Sequence, residues 1–182
     1  MKGLTVWGCI AGLVASSAAA TVLLPLDLAE LSAAAHTVIY GQVVESAPEW
    51  AGDRRIETRV TVVVLARFKG DPGKEVDVMV PGGELGGYRG SVAGTPSFAV
   101  GEEAVFFLRR DRGGLLRLVG LQQGVLRVSV TGQGRRVFAP IVEPLSPGVL
   151  RTQFVLRAPM ALEDFGRRLA SVIAETRTEV RR

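Results

Sequence analysis

The sequence predicts a mainly β fold, an OB-like barrel or a β-sandwich, with a short N-terminal helix and a C-terminal amphipathic helix. Three observations carry this. Ile56 to Phe68 alternates apolar and polar side chains over a full strand length. Several shorter apolar runs follow it, each bounded by Gly and Pro turn signals. Leu162, Phe165, Leu169, Val172 and Ile173 then recur at helical spacing. Many short strands flanked by helices point to one barrel or sandwich domain, here residues 21–182. The 182-residue length suits one domain, and 47% hydrophobic against 22% charged residues is too apolar for disorder.

Residues 1–20 read as a secretory signal peptide. Lys2 gives a positive start, Gly3 to Ala15 carries no charge, and Ala18-Ala19-Ala20 fits a small-residue cleavage site before Thr21. The alternative is a short uncleaved anchor, because Val22, Leu23, Leu24 and Leu26 continue the apolar run. No other window is apolar enough to span a membrane. Cys9 has bulky Trp7 in the place where a lipobox needs a small residue. With the leader removed, no cysteine remains, so stability must come from the core.

The elements follow in order. Leu26 to Ala35 is a short helix, with Leu28, Leu31 and Ala35 on one side. Thr37 to Glu45 is a strand, and Ala47 to Arg55 a polar loop holding Trp50. Ile56 to Phe68 is the strongest strand; Val62 to Leu65 is apolar on both faces, which marks it as central. Lys69 to Gly73 is a turn, and Glu75 to Val80 a strand with Val76, Val78 and Val80 on one face. Pro81 to Pro96 is rich in glycine and lacks periodicity, so it reads as a long irregular loop holding Tyr88. Gly101-Glu102-Glu103 is a tight turn with its charge outward, ahead of a strand at Ala104 to Arg109. Leu115 to Leu121, Val125 to Thr131 and Arg135 to Ala139 look like a meander. Arg151 to Leu156 adds an extended segment, and Arg177 to Arg182 is a solvated tail.

Charge is uneven. Residues 21–103 hold seven basic and twelve acidic side chains, whereas residues 104–182 hold fourteen Arg and six acidic ones. A basic face for an anionic partner is one reading. Mutual neutralisation of the two halves within one fold is the favoured one.

The search for chemistry returns little. His36 is the sole histidine and lies where the first helix meets the first strand, so a helix-end role suits it. Zinc hydrolase motifs need more His or Cys ligands than remain. No G-x-S-x-G elbow exists, since Ser91 stands in Arg89-Gly90-Ser91-Val92-Ala93. Glu102-Glu103 is the obvious carboxylate pair for glycosidase-type work, but neighbours in a turn point apart. The glycine run Pro81 to Gly90 lacks the Lys-Ser/Thr ending of a P-loop. Trp50 and Tyr88 are the aromatics set to be contact residues, or else to cap the barrel end.

Three segments read together carry a resemblance. They are His36-Thr37-Val38-Ile39-Tyr40-Gly41-Gln42-Val43, then Val62 to Leu65 closing on Phe68-Lys69-Gly70, then Gly94-Thr95-Pro96-Ser97-Phe98-Ala99-Val100-Gly101-Glu102-Glu103 leading into Val105 to Leu108. Over residues 26–175 the chain resembles a family of exported bacterial β-proteins of uncharacterised function. More distantly it resembles netrin-like modules, the OB-type barrels of tissue metalloproteinase inhibitors. Those carry a disulfide framework and an N-terminal cysteine that approaches the target metal, and the expected mature chain has neither.

These readings converge on an exported protein, periplasmic or extracellular, that acts as a non-enzymatic binding module for a protein or cell-envelope component through Trp50 and Tyr88. No catalytic residue, metal, cofactor, nucleic acid or stable membrane span is expected. The alternatives are a peptidase-associated or inhibitor-like module, and a carboxylate-type hydrolase.

Overall fold

A computed structural model describes residues 26–52, 54–138 and 158–179, the last three of these by backbone alone. The leader at 1–20 and the segment expected at Arg151 to Leu156 lie outside the described residues. Helix α1 (Leu28–Ala34) is opened by a capping box: the Asp27 carboxylate accepts from the Glu30 N–H and the Glu30 carboxylate accepts from the Asp27 N–H, both at 2.8 Å. Its far end is held by the Lys69 ammonium, which donates to the Ser32 and Ala35 carbonyls at 2.6 Å. A cation at a helix C-terminus satisfies carbonyls left without an intrahelical donor.

The strands are β1 (Thr37–Trp50), β2 (Ile56–Lys69), β3 (Glu75–Pro81), β4 (Gly83–Leu85), β5 (Tyr88–Gly90), β6 (Glu103–Arg110), β7 (Leu116–Leu118), β8 (Val125–Thr131), β9 (Gly134–Phe138) and β10 (Met160–Ala161), followed by α2 (Leu162–Glu179). Five of them close a barrel in the order β1-β2-β3-β7-β6 and back to β1. All neighbours are antiparallel except β3 and β7, which meet in parallel at Val78 and Leu116. That order, with its one parallel closure, makes the domain an OB-like barrel.

Strand β1 must coil around this barrel over 14 residues. Register shifts after Val38, Tyr40 and Val43 give it the bends. Gly41 stands at one of them, where a Cβ would come within 2.5 Å of Val62 Cγ1 and 2.6 Å of the Val63 carbonyl. Only glycine fits that approach.

Two hydrophobic cores share one wall. The barrel interior is filled by Ile39 and Val43 of β1, Val60 and Val62 of β2, Val76, Val78 and Val80 of β3, and Phe106 and Leu108 of β6. The outer faces of β1 and β6 present Val38, Tyr40, Val105 and Phe107 to a second core, built with Leu28 and Leu31 of α1 and Phe165 and Leu169 of α2. Strands β1 and β6 are therefore buried on both faces, as is the start of β8, where Val125 joins the first core and Leu126 the second. The expectation that Val62 to Leu65 is such a stretch is corrected: Val62 is fully buried and Val64 partly so, but Leu65 is 49% exposed because neither helix covers that part of β2.

Other expectations shift as well. Strands β7 and β8 form no meander; they lie end to end along one edge of β6, β8 against Glu103 to Phe106 and β7 against Leu108 to Arg110. Only β8 and β9 form a hairpin there, and β10 extends it. The expected tail at Arg177 begins as helix, since α2 runs to Glu179. Along α2, Phe165 and Leu169 are buried while Arg167 and Arg168 face solvent, as the stripe predicts. No described helix is long and apolar enough to cross a membrane.

Candidate functional site

The expected loop at Ala47 to Arg55 is half strand. Strand β1 continues to Trp50, pairing Ser46 with Val60, Pro48 with Thr58 and Trp50 with Ile56. The expected irregular loop after Pro81 is also corrected: β4 and β5 form a ribbon, with Glu84 opposite Arg89 and Leu85 opposite Tyr88. Its turn is Gly86-Gly87, with φ of 59° and 80°. A two-residue hairpin of this hand needs positive φ at both centres, so glycine fills both.

The ribbon folds back on the β1–β2 hairpin. A Cβ at Gly83 would lie 2.7 Å from Thr58 Oγ1 and 3.2 Å from Pro48 Cβ, so the absence of a side chain lets the two backbones close. This contact brings together two residues that stand far apart in sequence. The Trp50 and Tyr88 rings meet edge to face with centroids 5.7 Å apart. Trp50 is 48% exposed and Tyr88 67%. Both residues are strand-borne, at the ends of β1 and β5, rather than in the loops the sequence suggested. Ion pairs flank them, Arg89 with Glu84 on the ribbon and Arg59 with Glu49 at 3.5 Å on the hairpin.

The outward face of β2 carries a different arrangement. Glu57 is 4% exposed and takes two hydrogen bonds from the Arg117 guanidinium at 3.1 Å. Arg117 also donates to Asp111 at 2.6 Å, and Arg55 stands 3.4 Å from Glu57. Hydrogen bonding to Glu57, against the cost of burial, and then to Asp111 pushes the Arg117 guanidinium further up. Arg117 in turn holds Asp111 below the usual carboxylate range, helped by the Leu115 and Gly113 N–H groups. The chain of pairs ties the β1–β2 loop to the β6–β7 loop. Barrels of this type commonly take ligands on this face, and here paired charges fill it.

Of the two carboxylates expected to point apart, Glu102 accepts from the Ala99 N–H at 3.2 Å and pairs with Arg127. Glu103 accepts from the Tyr40 hydroxyl and, at 3.1 Å, from Arg135. They take different partners, and both side chains are largely covered, 18% and 14% exposed, so the outward charge expected for this turn is corrected. Each serves as an anchor between β1, β6 and the β8–β9 hairpin. Burial pushes the Glu103 carboxyl up, but the Tyr40 hydroxyl and Arg135 more than offset this and hold it low. Burial and the neighbouring Glu103 carboxylate push the Tyr40 phenol up to about 12.

A raised phenol pKa means that the folded state holds its proton more tightly. The resulting stability is complete below about pH 10 and is lost as pH rises towards about 12. In a Tyr88→Phe chain Tyr40 is the sole tyrosine. Its tyrosinate absorbance should appear near pH 12 in folded protein and near pH 10 in denaturant. A folded-state midpoint at 10 would mean that the phenol is neither buried nor held against Glu103.

The pairs Glu57–Arg117, Glu102–Arg127 and Glu103–Arg135 each join the acidic first half to the basic second half. These three pairs neutralise part of the charge asymmetry across the fold. His36 sits after α1; its ring Nδ1 accepts from the Arg110 backbone N–H at 3.4 Å and its backbone N–H donates to the Leu108 carbonyl at 2.8 Å. Among the described residues, no three His, Cys, Asp or Glu side chains gather as metal ligands would. No family model and no curated protein matches this chain.

Proposed function

We propose that this is an exported, non-enzymatic binding module that holds a protein or cell-envelope component against the Trp50–Tyr88 tip. One observation supports this reading above the others: two large aromatic rings stand in solvent, in contact with each other, on strands anchored to the barrel. Trp and Tyr bring wide apolar area with few rotors to immobilise, and they are enriched among the residues that dominate binding energy. A rigid barrel that positions a recognition tip is a common division of labour. The flanking Arg89–Glu84 and Arg59–Glu49 pairs supply a polar rim.

The test uses Trp50 as its own reporter. In a Trp7→Phe chain it is the sole tryptophan. Envelope extract from the source cells is passed over immobilised protein, and the retained component is titrated into the Trp7→Phe chain. Trp50 emission should move to the blue and become protected from acrylamide quenching. Saturable binding with unchanged emission would place the contact elsewhere and refute the proposal.

A further inference from the structure

We infer that the envelope component is the anionic surface of a lipid bilayer, and that the β6–β7 loop supplies the charge that meets it. The inference rests on the reading of the aromatic tip as a contact surface and names what the tip contacts. Residues 109–115 hold Arg109, Arg110 and Arg112, all exposed, and one carboxylate, Asp111. That carboxylate is already engaged. It accepts from the Arg117 guanidinium at 2.6 Å and from the Gly113 and Leu115 N–H groups at 2.9 and 3.0 Å. Arg109 and Arg112 make no side-chain hydrogen bond or ion pair among the described residues. Arg109 also stands directly opposite Arg117 in the β6–β7 ladder. Like charges so placed weaken a sheet. The fold gains nothing from this charge, and an anion outside the chain is what it lacks.

The loop is preorganised. The Asp111 N–H donates to the Leu115 carbonyl at 2.9 Å, the Gly114 N–H to the Asp111 carbonyl at 3.0 Å, and the Arg110 guanidinium to the Gly114 carbonyl at 3.0 Å. Leu116 turns into the barrel core, and Leu115 before it is left 48% exposed. An apolar side chain held in solvent among arginines does nothing for a soluble polyanion. It suits a bilayer, whose headgroups meet the arginines and whose acyl boundary takes the leucine. The tip repeats the combination. Trp50 pairs with Ile56, the neighbour of Arg55, and Arg55 and Arg117 approach the same Glu57 carboxylate at 3.4 and 3.1 Å. One carboxylate thus joins the hairpin that carries Trp50 to the basic loop. Trp and Tyr are the side chains that settle at membrane–water interfaces.

The test is sedimentation of the Trp7→Phe chain with phosphatidylcholine vesicles, made with and without phosphatidylglycerol. The read-out is the gain in affinity that phosphatidylglycerol brings, which an apolar leader does not supply. The expected result is a clear gain that fades as salt screens the surface, with Trp50 emission moving to the blue. The Arg109→Ser/Arg112→Ser variant removes side chains that hold nothing in the fold. It should keep the wild-type melting temperature and bind anionic vesicles roughly thirtyfold more weakly. Leu115→Ser should bind the same vesicles several-fold more weakly and bind soluble polyphosphate as the parent chain does. Three results would each overturn the inference: no gain with phosphatidylglycerol, an undiminished gain in the arginine variant, or full vesicle binding by Leu115→Ser, the last in favour of a soluble polyanion. Each of these leaves the tip reading to the envelope titration. Charge-dependent binding that is lost in the arginine variant but silent in Trp50 emission would uphold the loop as the bilayer contact and refute the tip reading alone.

Discussion

Val62→Asp should abolish the stable fold. Val62 is fully buried in the barrel interior, opposite Val43 on β1 and Val76 on β3, with the backbone of Gly41 pressed against it. Among the described residues no Lys, Arg or His is buried. An uncompensated buried charge costs about 3–5 kcal/mol, a large share of the roughly 5–15 kcal/mol that holds a domain together. Denaturant unfolding should show a midpoint shifted far down or no cooperative transition. Val64→Asp, two residues along and only partly buried, should cost clearly less. A wild-type transition for Val62→Asp would mean that β2 is out of register, because a slip of one residue turns the side chain to the other face.

Phe165→Ala should cost about 3–5 kcal/mol, the range for truncating a buried Phe. Its ring is fully buried and meets Phe68 edge to face at 6.1 Å. The adjoining Gly166 is pressed so close that a Cβ would stand 3.0 Å from Phe68 Cε1. The second core depends on this contact, since α2 covers the outer faces of β1 and β6 together with α1. Thermal unfolding is the measurement. An unchanged melting temperature would mean that α2 is detached from the barrel in solution.

Much of this architecture is legible in the sequence, for identifiable reasons. Strands β2 and β3 send Val60, Val62, Val76, Val78 and Val80 into the barrel interior, and the alternation of these valines reports that face directly. The α2 stripe is legible because one face of a helix meets one core. Where two cores share a wall, alternation fails: β1 and β6 bury both faces, so nothing in their pattern tells interior from exterior. The β4–β5 ribbon escapes notice because three-residue strands are too short to show a period. Its signal is Gly86-Gly87, which reads equally well as a flexible loop. The tip is half legible. Trp50 and Tyr88 stand out as aromatics among polar neighbours, but their contact depends on the ribbon folding back over Pro48 and Thr58, which no local pattern encodes. The Glu57–Arg117 pair is invisible for the same reason, since it joins β2 to β7 across 60 residues of chain.

The central claim is that recognition resides in the aromatic tip and not in proton-transfer chemistry at His36. The measurement that tests it is retention of the envelope component by three immobilised proteins: wild type, His36→Ala and Trp50→Ala/Tyr88→Ala, each first shown to unfold cooperatively. The exposed rings can be truncated without opening either core. The aromatic double variant should lose about 2 kcal/mol or more of binding, roughly thirtyfold in affinity, while His36→Ala binds as wild type does. Wild-type retention by the aromatic double variant, with loss in a normally folded His36→Ala, would contradict the account.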